Sequence, residues 1–267
     1  MWTAHKLFFL CSYLTQVAQG MHGNPAFPDG LTFVDCFAGT GVTVCTDEDG
    51  NRHRYPGSTL IAASIKPNGK SFTRIFAIEE NTKQFEALKR RLNKSGFDGE
   101  VRLWNDDFNI VAAEISKAIP MRSLNVAFVD PYSLDAHFAA IETLARARPL
   151  DLVILFSDRI DLQRNVEHTY YPQISPKLDE FLGSQSNWRK SYDQLVDRKG
   201  GPLREMFSHI YLRQLKTLGY GSSDSWPLEG PQGPMFRLVF ASKNKLGLKY
   251  CDIARKEDFG GEMGLYD

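Results

Sequence analysis

The chain has 267 residues, 42% hydrophobic and 24% charged, which is ordinary globular composition and length enough for one large domain with an insertion or a small second module. Its 32 basic and 32 acidic residues balance, which excludes a global positive field for holding a polyanion and leaves any nucleic-acid contact to a local basic face. No apolar run reaches the length of a membrane span, and Cys11, Cys36, Cys45 and Cys251 form no CxxC pair, which points away from a metal site or disulfide framework and toward a reducing, cytoplasmic setting.

From the amino end, Leu7, Leu10, Cys11, Leu14, Val17 and Ala18 recur at three- and four-residue spacing and predict a helix with one apolar face, starting behind a Thr3 cap. The same stretch has the outline of a signal peptide, with Lys6 before Leu7 to Cys11 and Ala18-Gln19-Gly20 after it, but the helical periodicity accounts for more of it. Turn-rich Pro25 to Gly30 leads into Leu31 to Cys36, a short apolar run that reads as a buried strand. Val42 to Tyr55 alternates, turns at Asp47-Glu48-Asp49-Gly50-Asn51 and returns through Arg52-His53-Arg54, which predicts a hairpin. The acidic turn is not a calcium loop, because Ser58 stands where the closing Glu belongs.

Four more apolar runs follow, Phe72 to Ile78, Val101 to Trp104, Leu124 to Val129 and Leu152 to Phe156, separated by helical patterns such as Phe85, Leu88, Leu92 and Phe138, Ile141, Leu144. That alternation predicts a doubly wound α/β fold: a mostly parallel sheet with right-handed crossovers and helices on both faces. Ser157 to Gly200 has weak periodicity and scattered aromatics (Tyr170, Tyr171, Trp188, Tyr192), and reads as an inserted substrate-side segment. A helix through Met206, Ile210, Leu212 and Leu215 ends at Gly219, and Tyr220 to Leu228, a Glu229-Gly230-Pro231-Gln232-Gly233 turn and Met235 to Ala241 form a closing antiparallel hairpin. The expected organisation is an N-terminal helix and linker over 1–30, a core over 31–156, the insertion over 157–200, and a helix and hairpin of the same domain over 201–267.

In an open parallel sheet the ligand sits beyond the carboxyl ends of the strands where strand order reverses, and the first turn must let backbone approach it closely. Gly39 and Gly41, behind Asp35-Cys36-Phe37, meet that need. No Lys-Ser/Thr follows, which excludes a phosphate-clamping loop, and Val44 stands where a nicotinamide-binding turn needs its third glycine. After the second strand of the alternation, Glu79 either accepts from vicinal ribose hydroxyls or caps a helix. Asp107-Phe108 offers an acid for an adenine amino group and a ring to pack on, with helix capping as the alternative. Asp130-Pro131-Tyr132-Ser133 places a carboxylate, a proline-fixed carbonyl and a flat aromatic where a planar amine can be oriented; an Asp-Pro turn is the plainer reading. Lys89-Arg90-Arg91 with Lys94 reads as a solvated helix face more readily than as a phosphate-contacting patch.

Together these pieces resemble class I S-adenosylmethionine-dependent methyltransferases, with their Rossmann-like core. The resemblance implies S-adenosylmethionine as cofactor, held by Asp35, Phe37, Gly39, Gly41, Glu79, Asp107 and Phe108, and catalysis at Asp130, Pro131 and Tyr132. The tetrapeptide departs from the amine-methylating Asp-Pro-Pro-Tyr at its last two places, and no Pro-Cys nucleophile of the cytosine-C5 enzymes occurs. A narrower resemblance, carried by Trp2-Thr3, Lys6-Leu7, Tyr13-Leu14, Phe33 to Gly39, Pro56 to Leu60, Asp107-Phe108-Asn109, Asp130-Pro131-Tyr132 and Phe236 to Lys243, is to the bacterial three-Cys-motif partner proteins. It implies a radical-SAM-like protein with a three-cysteine motif as partner, and with it a second function, a methyltransferase-fold partner without turnover. Tyr55-Pro56-Gly57-Ser58 is also similar to a segment of rRNA adenine-N6 methyltransferases, which implies Tyr55 and Ser58 at the substrate and nucleic acid as a substrate class.

Overall fold

A computed structural model describes residues 2–46, 51–228 and 233–257. The strands are β1 (Leu31–Asp35), β2 (Val42–Thr46), β3 (Arg52–Pro56), β4 (Arg74–Ile78), β5 (Glu100–Trp104), β6 (Leu124–Val129), β7 (Leu150–Phe156), β8 (Ser222–Leu228) and β9 (Phe236–Ser242). Seven of them form one sheet in the order β5-β4-β1-β6-β7-β9-β8, while β2 and β3 pair separately as an antiparallel hairpin. The five strands from β5 to β7 run parallel, and β9 lies antiparallel to both β7 and β8. The fold is thus the doubly wound, mostly parallel sheet with a closing antiparallel pair that the apolar alternation predicts. Two expected turns, at Asp47 to Asn51 and Glu229 to Gly233, fall mainly on residues outside those described.

Every residue of β1, β7 and β9 is buried, as in strands covered on both faces. Period-two alternation divides their side chains between two layers. One layer contains Val34, Phe76, Val129, Ile154, Phe156 and Val239, covered by α4 (Phe108–Ala118) and α5 (Phe138–Ala147). The other contains Phe33, Ile75, Phe128, Val153, Leu238 and Phe240, covered by α1 (Trp2–Met21), α2 (Ser58–Ser64) and α10 (Lys245–Lys256). α3 (Thr82–Leu92) buries Leu88 and Leu92 and leaves Lys89 and Arg90 exposed, with Lys94 exposed just beyond it, while Arg91 is half-buried and donates to the Thr40 carbonyl.

Within α1, Leu7, Leu10, Leu14, Val17 and Ala18 are buried, so the predicted face is the packed one. Thr3 is not its cap. The helix already includes Trp2, because burial of Ala4 and Lys6 holds its first turn against the body of the protein. Tyr13, on the same helix, donates 2.7 Å to Asp151 of β7 and packs edge-on against Phe240 at 5.0 Å. No helix among the described residues is long and apolar enough to cross a membrane.

The segment after β7 contains two π-helical turns, 158–162 and 166–170, flanking the short α6 (Gln163–Asn165), followed by α7 (Lys177–Leu182) and α8 (Trp188–Gln194). Its Tyr170, Phe181, Trp188 and Tyr192 join the core layer of α4 and α5. Phe181 lies 4.9 Å from Phe156 of β7 and 4.9 Å from Tyr211 of α9 (Gly200–Thr217). A Phe156→Ala change should therefore cost about 3–5 kcal/mol and keep one cooperative transition. Denaturant unfolding followed by both far-ultraviolet dichroism and tryptophan fluorescence checks this; two separated transitions would divide the segment from the sheet.

Candidate functional site

The chain leaves β1 for β4 and β5 on one side, then returns to β6 and β7 on the other, so strand order reverses between β1 and β6. A cavity of about 890 Å³ opens there, beyond the carboxyl ends of the strands, where such folds place ligands. Phe37, Gly39, Glu79, Asp107, Phe108, Asp130, Pro131 and Tyr132 all line it. Asp35, Gly41, Tyr55 and Ser58 do not.

Gly39 has φ +58°, and a Cβ there would meet only Gln84 Oε1 at 3.8 Å. Its role is therefore conformational, and it leaves room on the cavity side for a ligand. Its N–H donates 2.8 Å to Glu79 Oε2, while Asn81 N–H donates 2.8 Å to Glu79 Oε1. A carboxylate has about four lone-pair sites, so Glu79 is held in place with acceptor capacity left over for hydroxyl groups. Asn105 fastens the same turn by donating to the Glu79 and Glu80 carbonyls at 2.8 and 3.0 Å.

Gly41, with φ +76°, faces away from the cavity. A Cβ would lie 2.8 Å from Leu88 Cδ1 of α3, and Gly57 N–H donates 2.8 Å to the Gly41 carbonyl. This glycine lets the turn pack closely on its neighbours. Asp35 sits fully buried beneath the turn, accepting from Ser58 Oγ at 2.5 Å and Thr59 Oγ1 at 2.6 Å. Ser58 thereby serves as an internal donor, and Tyr55 lies half-buried on the separate hairpin with its ring 6.3 Å from His53. Burial pushes the Asp35 carboxyl up to about 6, against the two hydroxyl bonds that favour its charged form.

On the opposite side of the turn, Asp107 caps α4 by accepting from Asn109 N–H at 2.8 Å, yet still lines the cavity, so capping and ligand contact coexist there. Phe108 is almost fully buried, its ring 5.6 Å from Phe37, so the half-buried Phe37 carries more of the apolar wall. Asn109 bonds the Asp135 carbonyl and the His137 N–H, each at 2.8 Å, tying the loop after β6 to α4.

At the end of β6, Asp130 is paired with Lys6 of α1, Nζ to Oδ2 at 2.5 Å, with 7% and 19% of their side-chain surfaces exposed. Tyr132 is 96% exposed, a free ring at the rim. Ser157, Asp161, Asn165, Tyr170 and Lys177 complete the wall next to it. Tyr170 belongs to the aromatics noted in the sequence and Lys6 to a stretch that carries the narrower resemblance, but neither they nor the others were singled out as site residues. Lys6 had one legible signal, since it precedes Leu10 by one helical turn and so places a cation on an apolar stripe. The wall from Ser157 to Lys177 lies in the segment expected on the substrate side, whose weak periodicity marked no individual residue for it.

Strand order, cavity position and glycine turn define a protein with the fold of the S-adenosylmethionine-dependent methyltransferases. Among solved structures it is similar to protein LPL1258 of Legionella pneumophila, at 10% identity over 95% of this chain and 90% of that one, with a TM-score of 0.57. It is also similar to the O-methyltransferase TomG of Streptomyces achromogenes in complex with SAM (14%, 90% and 80%, TM-score 0.48) and to an rRNA methylase of Streptococcus thermophilus (12%, 88% and 94%, TM-score 0.43). No family model and no curated protein matches the sequence.

The buried Asp35 makes stability depend on pH. Folded, it titrates near 6 against an ordinary value of 3.8, so between these the folded state binds more protons than the unfolded and stability falls as pH rises. The loss, on the order of 3 kcal/mol, is complete above the folded value. Unfolding free energies of the wild type and Asp35→Asn across pH 4 to about 7 check this; identical slopes would remove Asp35 as the cause.

Proposed function

We propose that the chain binds S-adenosylmethionine and transfers its methyl group to an amine. The supporting observation is one cavity that joins the Glu79-braced glycine turn to Asp130-Pro131-Tyr132. The residues fit the cofactor: Gly39 leaves its side of the turn open, and the Glu79 carboxylate is held with lone pairs to spare for a ribose. When bound, S-adenosylmethionine supplies an electrophilic methyl group on sulfur.

This chain's part is to orient and deprotonate the nucleophile. Asp130 accepts one N–H of the amine, and the backbone at Pro131, fixed in φ and lacking an N–H, holds a carbonyl for the other. With both hydrogens held, the nitrogen lone pair is directed at the methyl carbon. The nitrogen gains the methyl and gives up a proton, for which Asp130 is the base in place. Lys6 orients that carboxylate and must yield part of it as the amine arrives. A nucleobase is one acceptor class consistent with the free ring of Tyr132, on which an extruded base can stack.

The Lys6–Asp130 pair also favours a second reading, in which the carboxylate stays occupied and the protein is a silent, methyltransferase-fold partner of a three-cysteine-motif radical-SAM-like protein. The two readings separate on turnover.

Glu79→Ala should weaken S-adenosylmethionine binding roughly ten- to a hundredfold, since bonds to a charged group contribute about 1.5–3 kcal/mol, without unfolding the chain. Calorimetric titration measures it, and an unchanged dissociation constant would return Glu79 to a purely structural role.

Asp130→Ala should depress labelled-methyl transfer to total nucleic acid or protein strongly, leaving cofactor affinity within about threefold, because its contacts matter most as the nitrogen attacks. Tyr132→Phe should be mild and Tyr132→Ala should lose about 1–3 kcal/mol if the acceptor is a base. Full activity in Asp130→Ala would place the chemistry elsewhere, and wild type that binds cofactor yet labels no acceptor supports the silent partner.

A further inference from the structure

One strand over from the Asp130 loop, the first π-helical turn after β7 brings an unpaired hydroxyl, Ser157, and a buried carboxylate, Asp161, to the cavity wall. Val129 of β6 registers with Ile154 of β7, so Ser157, the residue after β7, lines the same cavity wall as Asp130-Pro131-Tyr132. Ser157 Oγ is buried and has no hydrogen-bond partner among the described residues. Asp161, one turn further on, is 6% exposed. Its Oδ1 accepts from Tyr170 Oη and from Asn165 Nδ2, the latter at 2.8 Å. Its Oδ2 forms an ion pair with Lys177 Nζ at 3.8 Å, longer than a hydrogen bond. That lysine also engages Asp135 Oδ1 at 2.7 Å and Ser133 Oγ at 3.1 Å. Asp161 is thus pinned through one oxygen, while the other shares Lys177 with Asp135 and keeps acceptor capacity toward the cavity.

Buried polar groups are normally paired, and the exceptions ask for a reason. Ser157 Oγ is such an exception, and it shares one short turn and one cavity wall with Asp161, beside the acceptor motif. π-turns of this kind often mark functional sites.

We propose that Ser157 and Asp161 form an acceptor-recognition subsite for an amino-heterocycle of the guanine type. This rests on the methyl-transfer reading of the cavity. With the exocyclic amine at Asp130, the adjoining edge of the heterocycle meets Asp161, which only accepts, and Ser157, whose hydroxyl can donate. A guanine edge carries, next to its exocyclic amine, a ring N–H for Asp161 and a carbonyl oxygen for Ser157. Adenine and cytosine present only lone pairs beside theirs, and would set a lone pair against the Asp161 carboxylate. A site built to pair a buried polar group rejects ligands that leave it unpaired. The acidic wall and the exposed Tyr132 ring then share the work, one reading the edge and the other covering the face.

The test is titration of guanosine, adenosine and cytidine into the full chain with S-adenosylhomocysteine present, followed by ligand-observed NMR. Guanosine should bind at least about tenfold tighter than the other two. Asp161→Asn keeps an oxygen for Tyr170 and Asn165 but offers an amide donor in place of Oδ2. It should erase the guanosine preference while leaving S-adenosylhomocysteine affinity and the thermal midpoint unchanged. Ser157→Ala, a small change that removes an unpaired hydroxyl, should weaken guanosine several-fold in a folded protein. Equal binding of the three nucleosides, no binding of any, or an unchanged preference in Asp161→Asn overturns the assignment. Failure of S-adenosylhomocysteine to bind the wild type is read separately and counts against the methyl-transfer reading itself.

Discussion

Between β1 and β6 the chain reverses its direction of travel across the sheet, and neither crossover helix can cover the crevice this leaves. The constraint is geometric. Right-handed crossovers put the helices following β1 and β6 on opposite faces, so the carboxyl ends of these two strands stay open to one another. The elements around the cavity serve that opening. The glycine turn leaves β1 into it, Glu79 braces the turn from β4, and Asp130 faces it from β6. The buried network of Asp35, Ser58 and Thr59 locks the end of β1 to α2 beneath the floor.

Charge adds a second layer of organisation. The cavity lining includes Glu79, Glu80, Asp106, Asp107, Asp130 and Asp161 against Lys6 and Lys177. Six carboxylates against two ammonium groups leave an excess of four negative charges in a concave wall, which focuses a field that favours cationic or hydrogen-bond-donating ligands. Both lysines sit against carboxylates on the acceptor side, Lys6 at Asp130 and Lys177 between Asp135 and Asp161. The cofactor side is held instead by backbone N–H groups at Glu79 and by helix capping at Asp107. The proposed division of labour follows that asymmetry: backbone N–H groups that brace the Glu79 carboxylate where the ligand's hydroxyl groups are to be accepted, and ion pairs where a carboxylate must be aimed.

Much of the architecture was legible along the chain because its signals are local. A run such as Leu150–Phe156 is apolar at every position only when both faces are covered, and Gly39 occurs where a positive φ is needed. Patterns of this kind repeat within a few residues, so β1, β4, β5, β6 and β7 and the helices between them can be read without knowing what they touch. Residue type also narrowed the site, because a carboxylate, a glycine turn or an Asp-Pro step at a strand end has few alternatives.

Which of those residues face the cavity was decided by packing over long separations. Asp35 and Gly41 carry the same local signature as Phe37 and Gly39, but α2 and α3 close over them and turn one into a buried acceptor and the other into a packing contact. Tyr55 and Ser58 are placed by the hairpin and α2, away from the cavity lining. Lys6 meets Asp130 across 124 positions, and Lys177 meets Ser133 across 44. The sequence by itself determined the order of strands and helices and the chemistry at the strand ends, since both are written in short-range periodicity and residue type. Only the tertiary structure decided the partners of each charge and the wall from Ser157 to Lys177, because a side chain's neighbours depend on how distant segments pack, and no local pattern encodes that.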